Sequence, residues 1–554
     1  MVVQINKLNL GILLEKIFLI IIFSILLFIG CSNLVDYRIK HNFPYGYLAS
    51  DTFQHQIRAE AIKDAGNFRY EANYISMGLE KVVGRYPPIL YHLAVIFSYS
   101  SGLEVYDAIY FIVFLFASLS ALVIYLIIRK FNKNIALLSL PLSILIFAPG
   151  SYMGFTWGHW PSILSQFFLI AFFWSISKIN VKFSFILIAI FMSAMALTHT
   201  SELIFGILFL IIFFIINVLN KTFKLSEVKT VLIAAIASFV ISFYYFIIFK
   251  NTWAVAQPFS FAVMPVWEGN PGLYLINFGV LLIFIIIGAI LSLLIIKKAH
   301  ISLIIALSML LLGFTNYIGF DSRAFQIRFF WPIYLSVLFG FSIYKLSRLV
   351  VKKWNILYSA ILSIIFIILL IGIIKVPYVH HYEKISTPGI MNQYHWKILN
   401  WFPKNTKQDA KIYFFYGDIY NQDALLRNSK RAHYLVDPTD FIQALNNRTI
   451  KRNYLTESPG DGGGSLSYRG SFFKFKNYYK EKSSEYFFGK RDICNFDYYV
   501  FDKVSRQPAL AQYNLLIASE LIKKDFISKV FENEVSIILK NNKPGVDCIE
   551  ERSF

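Results

Sequence analysis

The stretch SDTFQHQIRAEAI, residues 50–62, lies in the first polar loop after the first apolar span, and the rest of the chain is arranged around it. In a helix, Asp51, His55 and Arg58 would share one face, because they stand at positions i, i+4 and i+7. An acid, an imidazole and a guanidinium on one face can bind a divalent cation, take a proton from a hydroxyl or hold a phosphate. The alternative is an amphipathic juxtamembrane helix whose charges face water.

Both ends of this helix are marked in the sequence. Asp51 stands three residues before Gln54, which is the spacing of a capping box, and Gly66 stands where a helix would stop. The spacing therefore predicts a helix of about four turns, with Asp51 as its N-terminal cap and Gly66 at its C-terminal end.

The composition is that of an integral membrane protein. Hydrophobic residues make up 56% of the 554 residues and the mean hydropathy is +0.55, which is too apolar for a soluble enzyme of this length. A net charge of +20 is compatible with binding nucleic acid, but Lys and Arg of membrane proteins concentrate in cytoplasmic loops. Placed on the chain, the charge needs no nucleic acid, so no nucleic acid partner is expected.

Eleven apolar runs are long enough to be read as membrane spans, since a crossing needs roughly 20 residues. They predict a transmembrane bundle built of helices. The runs cover about 11–30, 105–128, 134–150, 160–177, 183–199, 202–219, 230–249, 273–296, 300–317, 329–346 and 355–375.

Basic residues fill alternate short loops, which are therefore expected to be cytoplasmic. The N-terminus is then cytoplasmic, and the loop with residues 50–62 and the C-terminal part are extracytoplasmic. The basic loops carry Arg129, Lys130 and Lys133; Lys178 and Lys182; Lys221, Lys224 and Lys229; Lys297 and Lys298; and Lys345, Arg348, Lys352 and Lys353.

The chain is expected to form two domains. Residues 1–375, with the large first outer loop 31–104, are predicted to form an all-α multi-pass transmembrane bundle. Residues 376–554 have a soluble composition and are enough for one C-terminal extracytoplasmic domain. Its segments KIYFFYG, DYYVFDK and VSIILK read as short buried strands between polar or helical stretches, which predicts an α/β fold.

The three cysteines match no metal-binding spacing. Cys494 and Cys548 both lie in the part predicted to be extracytoplasmic, where disulfides form. A bridge between them and a pair of free thiols are both compatible with the sequence.

Further polar residues stand in loops on the side of Asp51. His159 lies in GSYMGFTWGHWP, and His199 and Glu202 lie in LTHTSEL, nearly at membrane depth. Polar groups at that depth are costly and mark functional sites, although hydrogen bonding between helices explains His199 and Glu202 equally well. Arg323 and Arg328 lie in FDSRAFQIRFFWP, where contact with lipid headgroups is the simpler alternative.

This arrangement resembles the GT-C superfamily of polyprenyl-phosphate-sugar-dependent membrane glycosyltransferases over roughly residues 10–375. The resembling features are a first span, a long outer loop that opens with an acidic motif (SDTFQHQIR), a YPP segment (RYPPILYHL), a His-bearing turn (LTHTSE) and a late outer Arg before a Pro-containing span (RFFWPIYLSVLFG). DTFQHQIR is similar to the DxYxxxR-like run of oligosaccharyltransferases, but Arg58 sits one residue later and the aromatic pair is absent. The WWDxG signature of those enzymes is also missing, which argues against peptide-Asn glycosylation.

The resemblance implies a GT-C-like fold and an inverting transfer of a hexosyl or pentosyl group. The donor would be a polyprenyl-phosphate sugar in the membrane lipid, and the acceptor a glycan, a lipid or a protein on the outer face. Asp51 would act as base or metal ligand, with His55 beside it. Arg58, Arg323 or Arg328 would compensate the charge of the leaving lipid phosphate.

The remaining candidates would bind substrate or a metal. These are His159, His199 and Glu202. A divalent cation, Mg or Mn, would take its ligands from Asp51, His55 and His199.

Two other functions are also compatible with the sequence. A transporter or flippase for a polar lipid would also need polar groups at membrane depth, but the sequence shows no internal repeat, and its polar residues cluster on the outer side. A non-catalytic envelope scaffold would use its C-terminal domain to bind a partner.

Overall fold

A computed structural model of the chain describes residues 7–36, 41–66, 73–74, 87–253, 278–314, 329–374, 391–415, 423–433, 492–504 and 508–548. Tertiary contacts divide the chain into two compact units. The first comprises Met1–Ile39 and Arg85–Tyr378, and the second comprises Lys40–Gly84 and Val379–Phe554. Residues 40–84 of the first outer loop thus belong to the same unit as the C-terminal part. The boundary at residue 375 between a glycosyltransferase domain and a C-terminal domain stays a prediction.

In the described residues of the first unit, all regular secondary structure is helical. Two 3-10 segments, Leu140–Phe147 and Ile296–Lys298, interrupt the α-helices. The helices are α1 (Lys7–Gly30), α2 (Ser32–Val35), α4 (Ile89–Ser101), α5 (Val105–Phe131), α6 (Lys133–Ser139), α7 (Pro149–Thr156), α8 (Trp160–Ile176), α9 (Ser184–Ala196), α10 (Thr200–Leu219), α11 (Leu225–Trp253), α12 (Leu281–Leu294), α13 (Ile301–Leu312), α14 (Trp331–Val350) and α15 (Ile356–Ile373).

Within the described ranges, five helices are long and apolar enough to cross a membrane: Ile12–Gly30, Val105–Phe131, Thr200–Leu219, Leu225–Tyr245 and Trp331–Val350. A sixth span results if Lys133–Phe147 and Gly150–Thr156, bent by 59°, are counted together. The expected count of eleven is not confirmed, because other apolar runs form helices of 10–17 residues, shorter than the roughly 20 that a crossing needs. These shorter helices are Ile89–Ser101, Trp160–Ile176, Ser184–Ala196, Leu281–Leu294, Ile301–Leu312 and Ile356–Gly372.

The outer faces of the helices are apolar, as those of a membrane protein are. Large aliphatic side chains on α9 to α12 and on α15 are about half exposed or more, among them Ile190, Ile211, Ile236, Ile290 and Ile368. Exposed apolar surface of this extent requires apolar surroundings. The chain is therefore a multi-pass membrane protein.

Helix α14 forms the core of the first unit. Every side chain in Trp331–Ile343 is buried. Two glycines allow the close packing around it: a Cβ at Gly340 would collide with the backbone of α6, and a Cβ at Gly288 of α12 would collide with the backbone of Leu338. Small residues at such crossings are the usual means by which membrane helices approach closely.

Helix α1 is joined to α5 by a buried carboxylate. Glu15 is 4% exposed and accepts a hydrogen bond from the Tyr125 hydroxyl at 2.6 Å. The Arg129 guanidinium also contacts it. A buried charge is tolerated only with partners of this kind, so these contacts fix α1 against the bundle.

The second unit is built on a five-stranded mixed sheet in the order β2-β1-β3-β5-β4. Strands β2, β1 and β3 are parallel, and β5 is antiparallel to both β3 and β4. The elements are α3 (Ser50–Ala65), α16 (Gln393–Asn405), β1 (Lys411–Phe414), α17 (Asp423–Leu426), β2 (Ala432–His433), β3 (Tyr498–Asp502), α18 (Pro508–Ile522), β4 (Ile527–Glu532) and β5 (Ser536–Asn541), with 3-10 turns at Arg427–Ser429 and Asp492–Asn495.

The three strands predicted from sequence are confirmed as β1, β3 and β5. Strand β3 is the middle strand, and all five of its residues are buried. Cys494 and Cys548 form a disulfide with a sequence separation of 54, so the alternative of two free thiols does not hold. The bridge joins the segment before β3 to the segment after β5.

We expect Gly288→Ala to destabilise the first unit, because its methyl group would meet the backbone of Leu338, which cannot move without separating two helices. Overpacking of this kind costs about 1–3 kcal/mol. Thermal unfolding of the protein in detergent measures it. The matched control is Gly372→Ala, where a Cβ meets nothing within 4 Å. Equal melting temperatures for the two variants would contradict the close packing of α12 on α14.

We expect Cys548→Ser to destabilise the second unit. For a separation of 54 residues, the chain-entropy model gives a loss of about 4 kcal/mol. Limited proteolysis of the full-length protein, followed at the C-terminal segment, reports the loss. Cys31→Ala, which removes the buried free thiol, is the control. Unchanged resistance of Cys548→Ser would show that the bridge does not stabilise the sheet.

Candidate functional site

The helix that carries Asp51 is present as predicted. It runs over Ser50–Ala65, and Gly66 ends it in the left-handed conformation, with φ of 63° and its N–H donating to the Ile62 carbonyl. The prediction that Asp51 caps the helix is wrong, because Ala49 is the N-cap and Asp51 lies within the first turn. An acid in the first turn still interacts favourably with the helix dipole.

The three candidate side chains of α3 differ in their exposure. Asp51 is exposed, Arg58 is half-buried and His55 is buried with 4% of its surface accessible. The helix therefore does not lie on the surface with one charged face in water, because its polar positions reach from solvent into the protein. Asp51 is the acid of this face that solvent can reach.

Aromatic side chains hold the N-terminal half of α3 against α16. The rings of Phe43 and Phe53 lie 6.0 Å and 6.4 Å from that of Trp396, and Tyr47 packs on Phe53 at 5.2 Å. Such ring pairs add about 0.5–1.5 kcal/mol each beyond the surface they bury. The N-terminal end of α3 thus packs against α16 in the C-terminal part of the chain.

A second polar cluster lies in the first unit, where α8 and α10 begin. His199 Nδ1 is 2.6 Å from Glu202 Oε2, and the Ser162 hydroxyl donates to Glu202 Oε1 at 2.6 Å. Glu202 is fully buried and His199 retains 14% of its side-chain surface. The carboxylate sits in the first turn of α10, where the helix dipole favours it.

A glutamine extends this cluster to α14. Gln166 Oε1 accepts from the backbone N–H of Phe330 at 2.6 Å, and the Tyr334 hydroxyl is 3.5 Å away. Ser165 donates to the carbonyl of His199 at 3.2 Å. The polar groups of α8 thus join the beginnings of α10 and α14.

Sequence reasoning found His199 and Glu202 but missed Ser162 and Gln166. A signal was present, because these two residues stand one turn apart in an otherwise apolar helix, and polar groups in such helices usually have partners. His159 is half-buried and immediately precedes α8, where its N–H donates to the Gly154 carbonyl. Its role in substrate binding stays a prediction.

The two late arginines, Arg323 and Arg328, lie outside the described residues, as does Asp321 of the same loop. Their predicted contact with a donor phosphate stays a prediction. The structure resumes at Phe329, whose ring packs on Phe205 of α10 at 5.1 Å. The residues that follow this loop thus return to the helix that carries Glu202.

The described part of the chain contains no group of three His, Cys, Asp or Glu side chains placed to hold a metal ion. Both oxygens of Glu202 already face hydrogen-bonding partners, Ser162 and His199. Of the predicted ligands, His199 belongs to the first unit, whereas Asp51 and His55 belong to the second. The described residues therefore do not by themselves make a cation site.

No family model and no curated protein matches the chain. Solved structures do match it. The structure of ArnT from Cupriavidus metallidurans bound to undecaprenyl phosphate is similar with a TM-score of 0.54 at 11% identity, over 95% of this chain and 97% of that one. The Archaeoglobus fulgidus oligosaccharyltransferase tethered with an acceptor peptide containing the NVT sequon is similar with a TM-score of 0.52 at 13% identity, over 91% and 72% of the two chains.

The same archaeal enzyme in complex with Zn and sulfate gives a TM-score of 0.50 at 12% identity, over 89% of this chain and 70% of that one. ArnT and the oligosaccharyltransferase are both GT-C superfamily glycosyltransferases that depend on polyprenyl phosphate. The likeness extends over most of the chain. The chain has the GT-C fold.

We expect Glu202→Ala to destabilise the protein strongly, since it removes the acceptor of the buried Ser162 hydroxyl and the contact of His199 Nδ1. Each buried group that loses its partner costs about 1–3 kcal/mol. Ser162→Ala should lower the free energy of unfolding by less than Glu202→Ala does, because Glu202 keeps its contact with His199. Thermal unfolding in detergent ranks the variants.

The control for this series is Ser308→Ala. Ser308 is 2% exposed, and its hydroxyl has no hydrogen-bond partner among the described residues. Its loss should be nearly neutral. A Ser162→Ala variant as stable as Ser308→Ala would show that the bond to Glu202 contributes nothing.

Proposed function

We propose that this protein transfers a sugar from a polyprenyl-phosphate donor to an acceptor on the extracytoplasmic face of the membrane, with inversion at the anomeric carbon. The observation that carries the proposal is the GT-C fold over 95% of the chain, together with an exposed carboxylate, Asp51, in the first turn of an otherwise largely buried helix. The related structures were solved with undecaprenyl phosphate or dolichol-phosphate, which supports a lipid phosphate as the carrier.

Asp51 is the proposed general base. It takes the proton of the acceptor hydroxyl while that oxygen attacks the anomeric carbon, and the bond between that carbon and the lipid-phosphate oxygen breaks. One displacement inverts the configuration. The lipid phosphate leaves with the bonding electrons, and Arg58, Arg323 or Arg328 compensates its negative charge.

His55 stands one turn after Asp51 and is buried. We assign to it the positioning of Asp51 and of the acceptor. His159 and His199 are proposed to bind substrate, and Glu202, which is fully buried, is proposed to act in the same place through His199. Of these, His199 has its ring oriented by the bond from Nδ1 to Glu202.

The disulfide supports an extracytoplasmic place for the C-terminal part, because such bonds persist in oxidising compartments. The N-terminus is then cytoplasmic, and sugar transfer takes place on the side where the second unit lies. The acceptor is a glycan, a lipid or a protein in the cell envelope.

The test is sugar transfer by the purified protein in lipid nanodiscs, with a panel of polyprenyl-phosphate hexoses and pentoses. We expect Asp51→Asn to lower turnover by about 100- to 10,000-fold, the usual contribution of a general base, with donor binding retained. Asp525→Asn, at a carboxylate with 84% of its side chain exposed, is the matched control and should keep full turnover.

Two outcomes would overturn the proposal. One is full turnover by Asp51→Asn. The other is no transfer from any donor by folded protein that still binds a lipid-phosphate sugar, which would favour a lipid transporter or an envelope scaffold. Turnover with a chelator present decides whether a divalent cation such as Mg or Mn takes part.

A further inference from the structure

The C-terminal end of the Asp51 helix is held by one lysine of the C-terminal part. Lys430 Nζ lies 2.9 Å from Glu60 Oε2 and 2.7 Å from Asp64 Oδ2. Glu60 and Asp64 stand one turn apart on α3, so a single ammonium joins two successive turns. Gln56 donates to the other oxygen of Glu60 at 2.7 Å, so each oxygen of that carboxylate has a partner.

The electrostatics of this cluster favour a permanent contact. Burial alone would lower the pKa of Lys430, but the charges of Glu60 and Asp64 outweigh it and hold the pKa above its ordinary value. A raised lysine pKa means that the stabilisation is fully present below the ordinary value and is lost only at higher, strongly alkaline pH. Lys430 is therefore charged throughout the physiological range.

The backbone at Lys430 is adapted to this contact. Its φ is 49°, in the left-handed region that a residue with a side chain occupies at a cost. The turn is closed by its N–H, which donates to the Arg427 carbonyl at 2.9 Å. Glycine would be the favoured residue here, so the presence of lysine indicates that the side chain has a use.

The chain beyond α3 rests on the same turn. The Tyr74 hydroxyl donates to the Arg427 carbonyl at 3.1 Å, and the Tyr74 ring lies 6.5 Å from that of His433. Contacts to Trp396 at one end of the helix and to Lys430 at the other fix both its tilt and its rotation.

We propose that Lys430 is a positioning residue for sugar transfer, which sets the orientation of the Asp51 carboxylate through the two acids Glu60 and Asp64. This inference rests on the proposed function. It gives the C-terminal domain a role in the reaction that is separate from acceptor binding.

The size of the expected effect follows from helix geometry. Side-chain tips lie about 5 Å from a helix axis, so a rotation of about 10° moves them by about 1 Å. A displacement of that size from the productive geometry can lower a rate by about 100-fold. Loss of the lysine contact should therefore act on turnover and leave donor binding unchanged.

The experiment compares three variants of the full-length protein in nanodiscs. Lys430→Gly removes the ammonium. Glycine adopts the left-handed backbone of this turn without strain, so a loss of turnover cannot be caused by strain in the turn. Lys430→Arg keeps the charge. Lys529→Met removes an ammonium from an exposed pair with Glu532 in the same unit and serves as the control.

Two quantities are measured for each variant: hydrogen exchange of the amides of residues 50–65, and kcat and KM for the donor sugar. For Lys430→Gly we expect exchange in α3 to rise at least about 10-fold and kcat to fall about 10- to 100-fold at unchanged KM. Lys430→Arg should keep the exchange in α3 and kcat near their values in the parent protein, and Lys529→Met should leave both quantities unchanged.

The inference would be overturned by unchanged exchange in α3, by faster exchange with unchanged kcat, or by an equal loss of kcat in Lys529→Met. A rise in KM alone would also overturn it, since it would make Lys430 a donor-binding residue. Failure of the proposed function is distinguishable, because the parent protein would then transfer no sugar while exchange in α3 would still report whether Lys430 holds the helix.

Discussion

A hydrocarbon environment accepts a polar side chain only where other groups compensate it, and this constraint determines where the polar chemistry of the first unit lies. Glu202 is fully buried, yet it has a hydroxyl, an imidazole and the beginning of a helix around it. Ser162 and Gln166 occupy the start of α8 for the same reason. The buried polar contacts of this cluster therefore lie towards the beginnings of α8, α10 and α14, whereas Glu15 within α1 is compensated by Tyr125 and Arg129 of α5.

The second unit meets a different requirement, since its sheet makes a core of its own around β3. Helix α3 belongs to this unit. Its Phe53 packs on Trp396 of α16, and its acids Glu60 and Asp64 pair with Lys430. The exposed Asp51 is thus carried by a helix whose position depends on residues of the C-terminal part. The residues of the C-terminal part thus form the surroundings of α3, although α3 itself belongs to the first loop.

Local patterns predicted the local structure well. The presence of α3 and its end at Gly66 followed from spacing and from glycine, although α3 begins before the predicted cap Asp51. Three of the five strands followed from runs of β-branched and aromatic residues. The number of spans could not be predicted, because run length alone does not say where an apolar helix of 12 to 17 residues stops within a bundle. The bond between Ser162 and Glu202 and the pairing of Lys430 with Glu60 were also invisible, since each joins residues far apart in a single sequence.

The distance along the chain between α3 and its partners also affects the order of assembly. Tyr74 precedes Arg427 by 353 residues, and synthesis at about 5–20 residues per second takes roughly 20 to 70 s to cover that length. During this interval the first loop has been synthesised, but the turn at Lys430 that receives α3 has not. A translation product that stops before Lys430 therefore carries α3 without the partner of Glu60 and Asp64, so the C-terminal end of this helix is held only once that turn has been made.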